Sequence, residues 1–69
     1  MEELTNTIAV LRAARQLSQT ELAEAIGVSR KTISTVETGR FTPSVVIALK
    51  LAKFFEVPVE QIFSLNMQR

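Results

Sequence analysis

The stretch Gln19-Thr20-Glu21-Leu22-Ala23-Glu24-Ala25-Ile26-Gly27-Val28-Ser29-Arg30-Lys31-Thr32-Ile33-Ser34-Thr35-Val36-Glu37-Thr38 decides how this chain folds. Leu22, Ala23 and Ile26 share one face of a helix, and Ile33 and Val36 sit one turn apart on the next. Gly27 stands between them, where a tight corner wants left-handed backbone that glycine adopts without penalty. So short a gap leaves room for nothing but a sharp turn. Ser18 and Glu21 are spaced as a capping box opening the earlier helix, and Ser29 is placed to cap the later one. Ala23 is small enough to let the two helices cross closely. Leu22, Ile26, Val28, Ile33 and Val36 then fill the angle between them. The outer face of the second helix keeps Arg30, Lys31, Ser34, Thr35 and Thr38, all of them polar.

Outward from this corner the pattern stays helical. A preceding helix is predicted over about Asn6 to Arg15, with Ile8 and Leu11 inward. Gly39 ends the helix begun at Ser29, and Thr42-Pro43-Ser44 is a stop and restart. A fourth helix is predicted from Val45 to Phe55, with Val45, Ala48, Leu49, Ala52 and Phe55 on its inner side. Pro58 opens a short fifth carrying Val59, Ile62 and Phe63. Apolar and polar residues alternate over Phe63-Ser64-Leu65-Asn66-Met67, which fits a short C-terminal strand. The expectation is an all-α, compact five-helix fold in one domain covering residues 1–69.

Composition narrows the chemistry. The chain has no Cys and no His, which removes disulfides, thiol nucleophiles, the commonest metal ligand and the usual general base. No cofactor and no metal are expected. Glu21 and Glu24 fall on a solvent face, so catalysis is not expected either. No apolar run approaches the roughly 18 residues of a membrane span, and the acidic start Met1-Glu2-Glu3 is unlike a secretory signal. A cytoplasmic protein with no membrane partner is expected. The net charge of +1 favours no class of partner, but its distribution is uneven. Glu2, Glu3, Glu56 and Glu60 lie near the ends, whereas Arg30, Lys31 and Arg40 make a basic centre opposed by Glu37.

The segment from Gln19 to Thr38 resembles the helix-turn-helix of the Cro/cI (XRE) repressor family. The likeness continues through Leu11-Arg12-Ala13-Ala14-Arg15-Gln16-Leu17-Ser18-Gln19, Glu37-Thr38-Gly39-Arg40-Phe41-Thr42-Pro43-Ser44 and Val57-Pro58-Val59-Glu60-Gln61-Ile62-Phe63, so it covers roughly residues 7 to 63. It implies a lambda-repressor-like fold and double-stranded DNA as the partner. By position, Arg30 and Lys31 match the leading base readers, with Ser34 and Thr35 one turn on. Gln19, Ser29, Thr38, Arg40 and Ser44 match phosphate contacts. Arg12 and Glu37 match a buried ion pair that is structural and does not touch DNA. Arg or Lys can pair with guanine O6 and N7, and the Thr35 methyl suits thymine.

Two departures stand out. Gln16 occupies a place where the family often has glycine, and a left-handed conformation there carries a cost, which leaves the exit from the first helix open. Val46 and Phe54 are apolar where the family is usually polar; with Leu65 and Met67 they suggest a homodimer interface, or else extra core. The resemblance therefore implies a homodimeric regulator, a repressor acting on a pseudo-palindromic operator. The alternatives are the antitoxin of a toxin–antitoxin pair, which has a protein partner as well, and a protein-interaction module that keeps the fold.

Overall fold

The computed structural model describes residues 2–67, with side chains for 3–66. The Met67 side chain, expected at a dimer interface, lies outside the described residues. Along the chain come β1 (Glu2–Asn6), α1 (Ile8–Ala14), α2 (Gln19–Ile26), α3 (Arg30–Glu37), α4 (Val45–Phe55), α5 (Val59–Ile62) and β2 (Phe63–Met67). Every helix contributes to one core: Ile8 from α1, Leu22, Ala23 and Ile26 from α2, Ile33 and Val36 from α3, Leu51 and Phe55 from α4, and Ile62 from α5.

The local signals act as read. Ser18 Oγ accepts the Glu21 N–H at 3.0 Å while Glu21 Oε1 accepts the Ser18 N–H at 2.8 Å. Gly27 ends α2 at φ 77°, and Ser29 Oγ caps α3 by accepting the Thr32 N–H at 3.1 Å. Ser44 caps α4 in the same way through Ile47. Gln16 takes the left-handed conformation itself, at φ 56°, so the exit from α1 is kept at some steric cost. Glu56 does the same at the end of α4, at φ 58°.

Two expectations need correction. The fold is mostly helical but not all-α, because β1 pairs antiparallel with the expected C-terminal strand, with Leu4 opposite Leu65 and Asn6 opposite Phe63. Glu2-Glu3-Leu4-Thr5-Asn6 lacks the alternation of a strand; its conformation is imposed by the partner at the far end of the chain. The Thr5 and Ser64 hydroxyls bond at 2.8 Å, and the Thr7 N–H donates to the Ile62 carbonyl at 2.9 Å. The pairing also moves the start of α1 from Asn6 to Ile8, whose N–H donates to Asn6 Oδ1 at 3.1 Å.

The second correction is the inner face of α4. Leu51 and Phe55 are buried, Ile47 and Ala52 are half-buried, and Val45 and Leu49 are 74% and 56% exposed. The helix is apolar almost all round, so periodicity alone does not choose its inner side; contact with α2 and α5 does. Arg15 ties α1 to the end of α4. Its Nη1 and Nη2 each donate at 3.1 Å, to the Phe54 and Phe55 carbonyls, and its guanidinium lies 5.4 and 5.3 Å from the two ring centroids.

Arg12 and Glu37 meet across the helices. Arg12 Nε donates to Glu37 Oε2 at 2.7 Å, Nη2 donates to Oε1 at 3.1 Å, and Nη1 donates to the Leu17 carbonyl at 2.8 Å. Gln19 Nε2 adds a bond to Glu37 Oε1 at 3.1 Å. The Arg12 and Glu37 side chains are 19% and 8% exposed. The hydrogen bonds to Glu37 hold the Arg12 pKa above its ordinary value against the opposing effect of burial.

Two outcomes are expected. Glu37→Ala leaves a largely buried cation unpaired and costs about 3 kcal/mol in urea unfolding, part of which Arg12→Met combined with Glu37→Leu recovers. The Glu21 carboxyl is held below its usual range, first by the Ser18 backbone N–H and then by the Ser18 hydroxyl. Because its folded pKa is depressed, this contribution to stability is complete above the unfolded value of 4.5 and is lost as pH falls through the lower folded value. Carbon-detected NMR titration should show the Glu21 midpoint below 4.5, and Glu21→Gln should flatten this part of the acid limb of the stability curve.

Candidate nucleic-acid interface

The corner between α2 and α3 fixes what α3 presents. Gly27 turns the chain, the Val28 N–H returns to the Ala23 carbonyl at 2.9 Å, and Ile33 and Val36 bury the inner side of α3. Ala23 is 2% exposed at the crossing, where a larger side chain would push the helices apart. The Glu37 network and Asn6 hold the other end. Asn6 Nδ2 donates to the Val36 and Glu37 carbonyls at 3.1 and 3.3 Å at the end of α3, where the Val36 carbonyl also accepts the Gly39 N–H at 3.1 Å.

The sequence-derived base readers lie on the outer side of this fixed helix. Arg30 and Lys31 are exposed in its first turn, and among the described residues neither side chain makes a hydrogen bond or ion pair. Ser34 and Thr35 are half-buried. The Thr35 hydroxyl is turned back on the helix, donating to the Lys31 and Thr32 carbonyls at 2.9 and 3.1 Å, so its proton is engaged within α3.

The residues matched to phosphate contacts differ in what they have left to donate. One Gln19 amide N–H goes to Glu37 and the other is available. The Ser44 hydroxyl accepts from Ile47, which leaves its own proton available. Ser29 shares a bond with the Thr32 hydroxyl at 2.9 Å. The Thr38 proton is already given to the Ser34 carbonyl at 3.0 Å and must rotate away before it can reach a phosphate. Arg40 is exposed, and its backbone N–H is anchored to the Thr35 carbonyl at 2.9 Å.

Phe41 was not singled out by the sequence reading. It is 48% exposed and, with Ser29, Lys31, Thr32 and Thr35, lines an open groove of about 220 Å³ beside α3. The available signal was a large aromatic ring within the otherwise small and polar turn from Gly39 to Ser44.

The apolar residues expected at a homodimer interface differ in exposure. Val46 is exposed at the start of α4, alongside Val45 and Leu49. Phe54 is half-buried, packed against the core and set edge-on to Phe55 with centroids 5.1 Å apart. Leu65 is exposed on the sheet, facing Leu4 in register. Among the described residues no group of acidic side chains is arranged to hold a metal ion, and no helix is long and apolar enough to cross a membrane.

This architecture is shared with known proteins. The sequence profile described as Helix-turn-helix matches residues 8–62. An uncharacterised HTH-type transcriptional regulator of Methanocaldococcus jannaschii is 45% identical over 60 residues, covering 87% of this chain and 91% of its own. The cryptic phage CTXphi transcriptional repressor RstR of Vibrio cholerae is 41% identical over 54 residues, covering 78% of this chain and 49% of its own. The restriction-modification controller protein C.AhdI of Aeromonas hydrophila superposes with a TM-score of 0.71 at 36% identity, over 77% of this chain and 80% of that one. With the profile spanning most of the chain and the corner, caps and Arg12–Glu37 pair all in place, the protein belongs to the Cro/cI (XRE) family of helix-turn-helix transcriptional regulators.

Proposed function

We propose that this chain is a sequence-specific DNA-binding repressor that occupies a pseudo-palindromic operator as a homodimer, with α3 in the major groove. The observation that carries this reading is the pair of exposed cations, Arg30 and Lys31, unpartnered among the described residues, in the first turn of a helix whose inner side and far end are both fixed. A rigid helix with uncommitted donors at its N-terminus suits base-edge recognition, because the cost of ordering the reader has already been met in folding. Arg30 is assigned to a guanine, Lys31 to a neighbouring acceptor, and Ser34 and Thr35 to further base contacts. Gln19, Ser29, Arg40, Ser44 and, after rotation, Thr38 are assigned to phosphates on either side. The sequence likeness to a phage repressor supports repression, which follows from occupancy alone.

One recognition helix spans a few base pairs, so selectivity calls for two, set about 34 Å apart by the DNA repeat. Val46, with Val45 and Leu49 beside it, is assigned to the contact between protomers, together with Leu65 and the half-buried Phe54.

Selection from a random duplex library tests the reading. The expected result is an enriched inverted repeat whose preference at one position per half-site relaxes in Arg30→Ala, with a loss of about 1–3 kcal/mol there. Arg40→Ala should weaken all sequences alike and reduce the salt slope by about 1 per protomer. No enriched sequence at low salt would overturn it. Val46→Glu should shift the sedimentation profile from dimer towards monomer and weaken operator binding; a wild-type chain that stays strictly monomeric at high micromolar concentration would remove the dimer from the scheme.

A further inference from the structure

We infer that Phe41 is a specificity-determining residue: its ring and the Thr35 methyl form a seat for the C5-methyl group of a thymine, while Lys31 at the rim donates to the thymine O4. The inference rests on the reading of α3 as a DNA reader and adds a residue from outside that helix. Phe41 belongs to the turn after α3, yet its backbone N–H is fastened to the Thr35 carbonyl at 3.2 Å, which holds the turn against the helix. The ring therefore borders the same groove as Lys31, Thr32 and Thr35. A half-exposed phenylalanine leaves apolar surface in water, and burying it against a ligand recovers that loss.

The chemistry around the groove names the ligand. Thr35 has turned its hydroxyl inward onto the Lys31 and Thr32 carbonyls and leaves a methyl. Lys31 is exposed, unpaired among the described residues, and a donor without acceptor capacity. In the major groove, thymine pairs an acceptor, O4, with an adjacent methyl. Guanine offers acceptors without the methyl. Cytosine presents an amino donor, which faces a lysine poorly, and also lacks the methyl. Adenine offers the N7 acceptor beside an amino donor and has no methyl. Lys31 alone thus accepts guanine, adenine N7 or thymine, and Phe41 resolves the choice in favour of thymine.

The test uses the full chain and the duplex that it selects. Each thymine is replaced in turn by deoxyuridine, which removes the methyl and nothing else. One position per half-site should lose roughly fourfold in affinity, the worth of one buried methyl. In Phe41→Ala the same replacement should cost clearly less, since only the Thr35 methyl is left beside the thymine, and reselection should lose most of the preference for thymine at that position. Phe41→Leu, which keeps an apolar surface, should retain part of the uracil penalty. Uracil tolerated by the wild-type chain at every position overturns the inference while leaving DNA reading intact, and it does so without depending on a variant that folds. An equal uracil penalty in wild type and Phe41→Ala also overturns it. Failure of the wild-type chain to enrich any sequence removes the DNA reading, and this inference with it.

Discussion

The Glu37 carboxylate is the point on which the arrangement of α1, α2 and α3 depends. It sits at the last turn of α3, nearly out of water, where an unpaired charge would be expensive. Arg12 of α1 meets it with two donors and Gln19 of α2 with a third. The remaining arm of Arg12 reaches the Leu17 carbonyl in the junction between α1 and α2. One charge is therefore satisfied only when three helices and a connection stand in a particular relation. Apolar packing supplies most of the driving force for bringing these helices together, but it is non-directional. The ion pair and its hydrogen bonds add direction, and so limit how far α3 can rotate or slide on the core.

A second restraint works at the same helix end from the opposite side of the chain. Asn6, at the end of β1, donates to the last two carbonyls of α3 with its amide nitrogen and accepts the Ile8 N–H at the start of α1 with its amide oxygen. The two-stranded sheet is thus coupled to α3 through one side chain. Arg15 plays a comparable part between α1 and α4, placing its charge on the carbonyl end of α4, where the helix dipole favours a cation.

How much of this was legible in the sequence follows from how local each cause is. The capping box at Ser18 and Glu21, the turn at Gly27 and the cap at Ser29 are written within a few residues, and each was readable. The pairing of Arg12 with Glu37 was reachable through family likeness but not from spacing, since nothing local brings those two together. The β1 strand was illegible because its cause is β2, and Glu2 to Asn6 carry no pattern of their own. The inner face of α4 was misread because Val45-Val46-Ile47-Ala48-Leu49 is apolar without interruption, so orientation is left to tertiary contact. Phe41 was passed over because an aromatic residue in a turn has no periodicity to belong to. Gln16 and Glu56 show the converse: the fold holds non-glycine residues in left-handed backbone where the surrounding contacts require it.

The polar side chains of this small protein fall into two populations. Arg12, Arg15, Gln19, Asn6 and the capping serines are engaged in bonds within the fold. Among the described residues the Arg30 and Lys31 side chains make no hydrogen bond or ion pair. Substitution at those two exposed positions breaks no such bond and strands no buried group, so it is close to neutral for folding while altering the surface that α3 presents. With α3 as the proposed DNA reader, a lineage carrying this scaffold can therefore change its target by single steps through fully folded proteins. Thr35 is less free to vary, being half-buried and bonded to its own helix, so divergence in binding preference among descendants should begin in the first turn of α3 and reach its middle later.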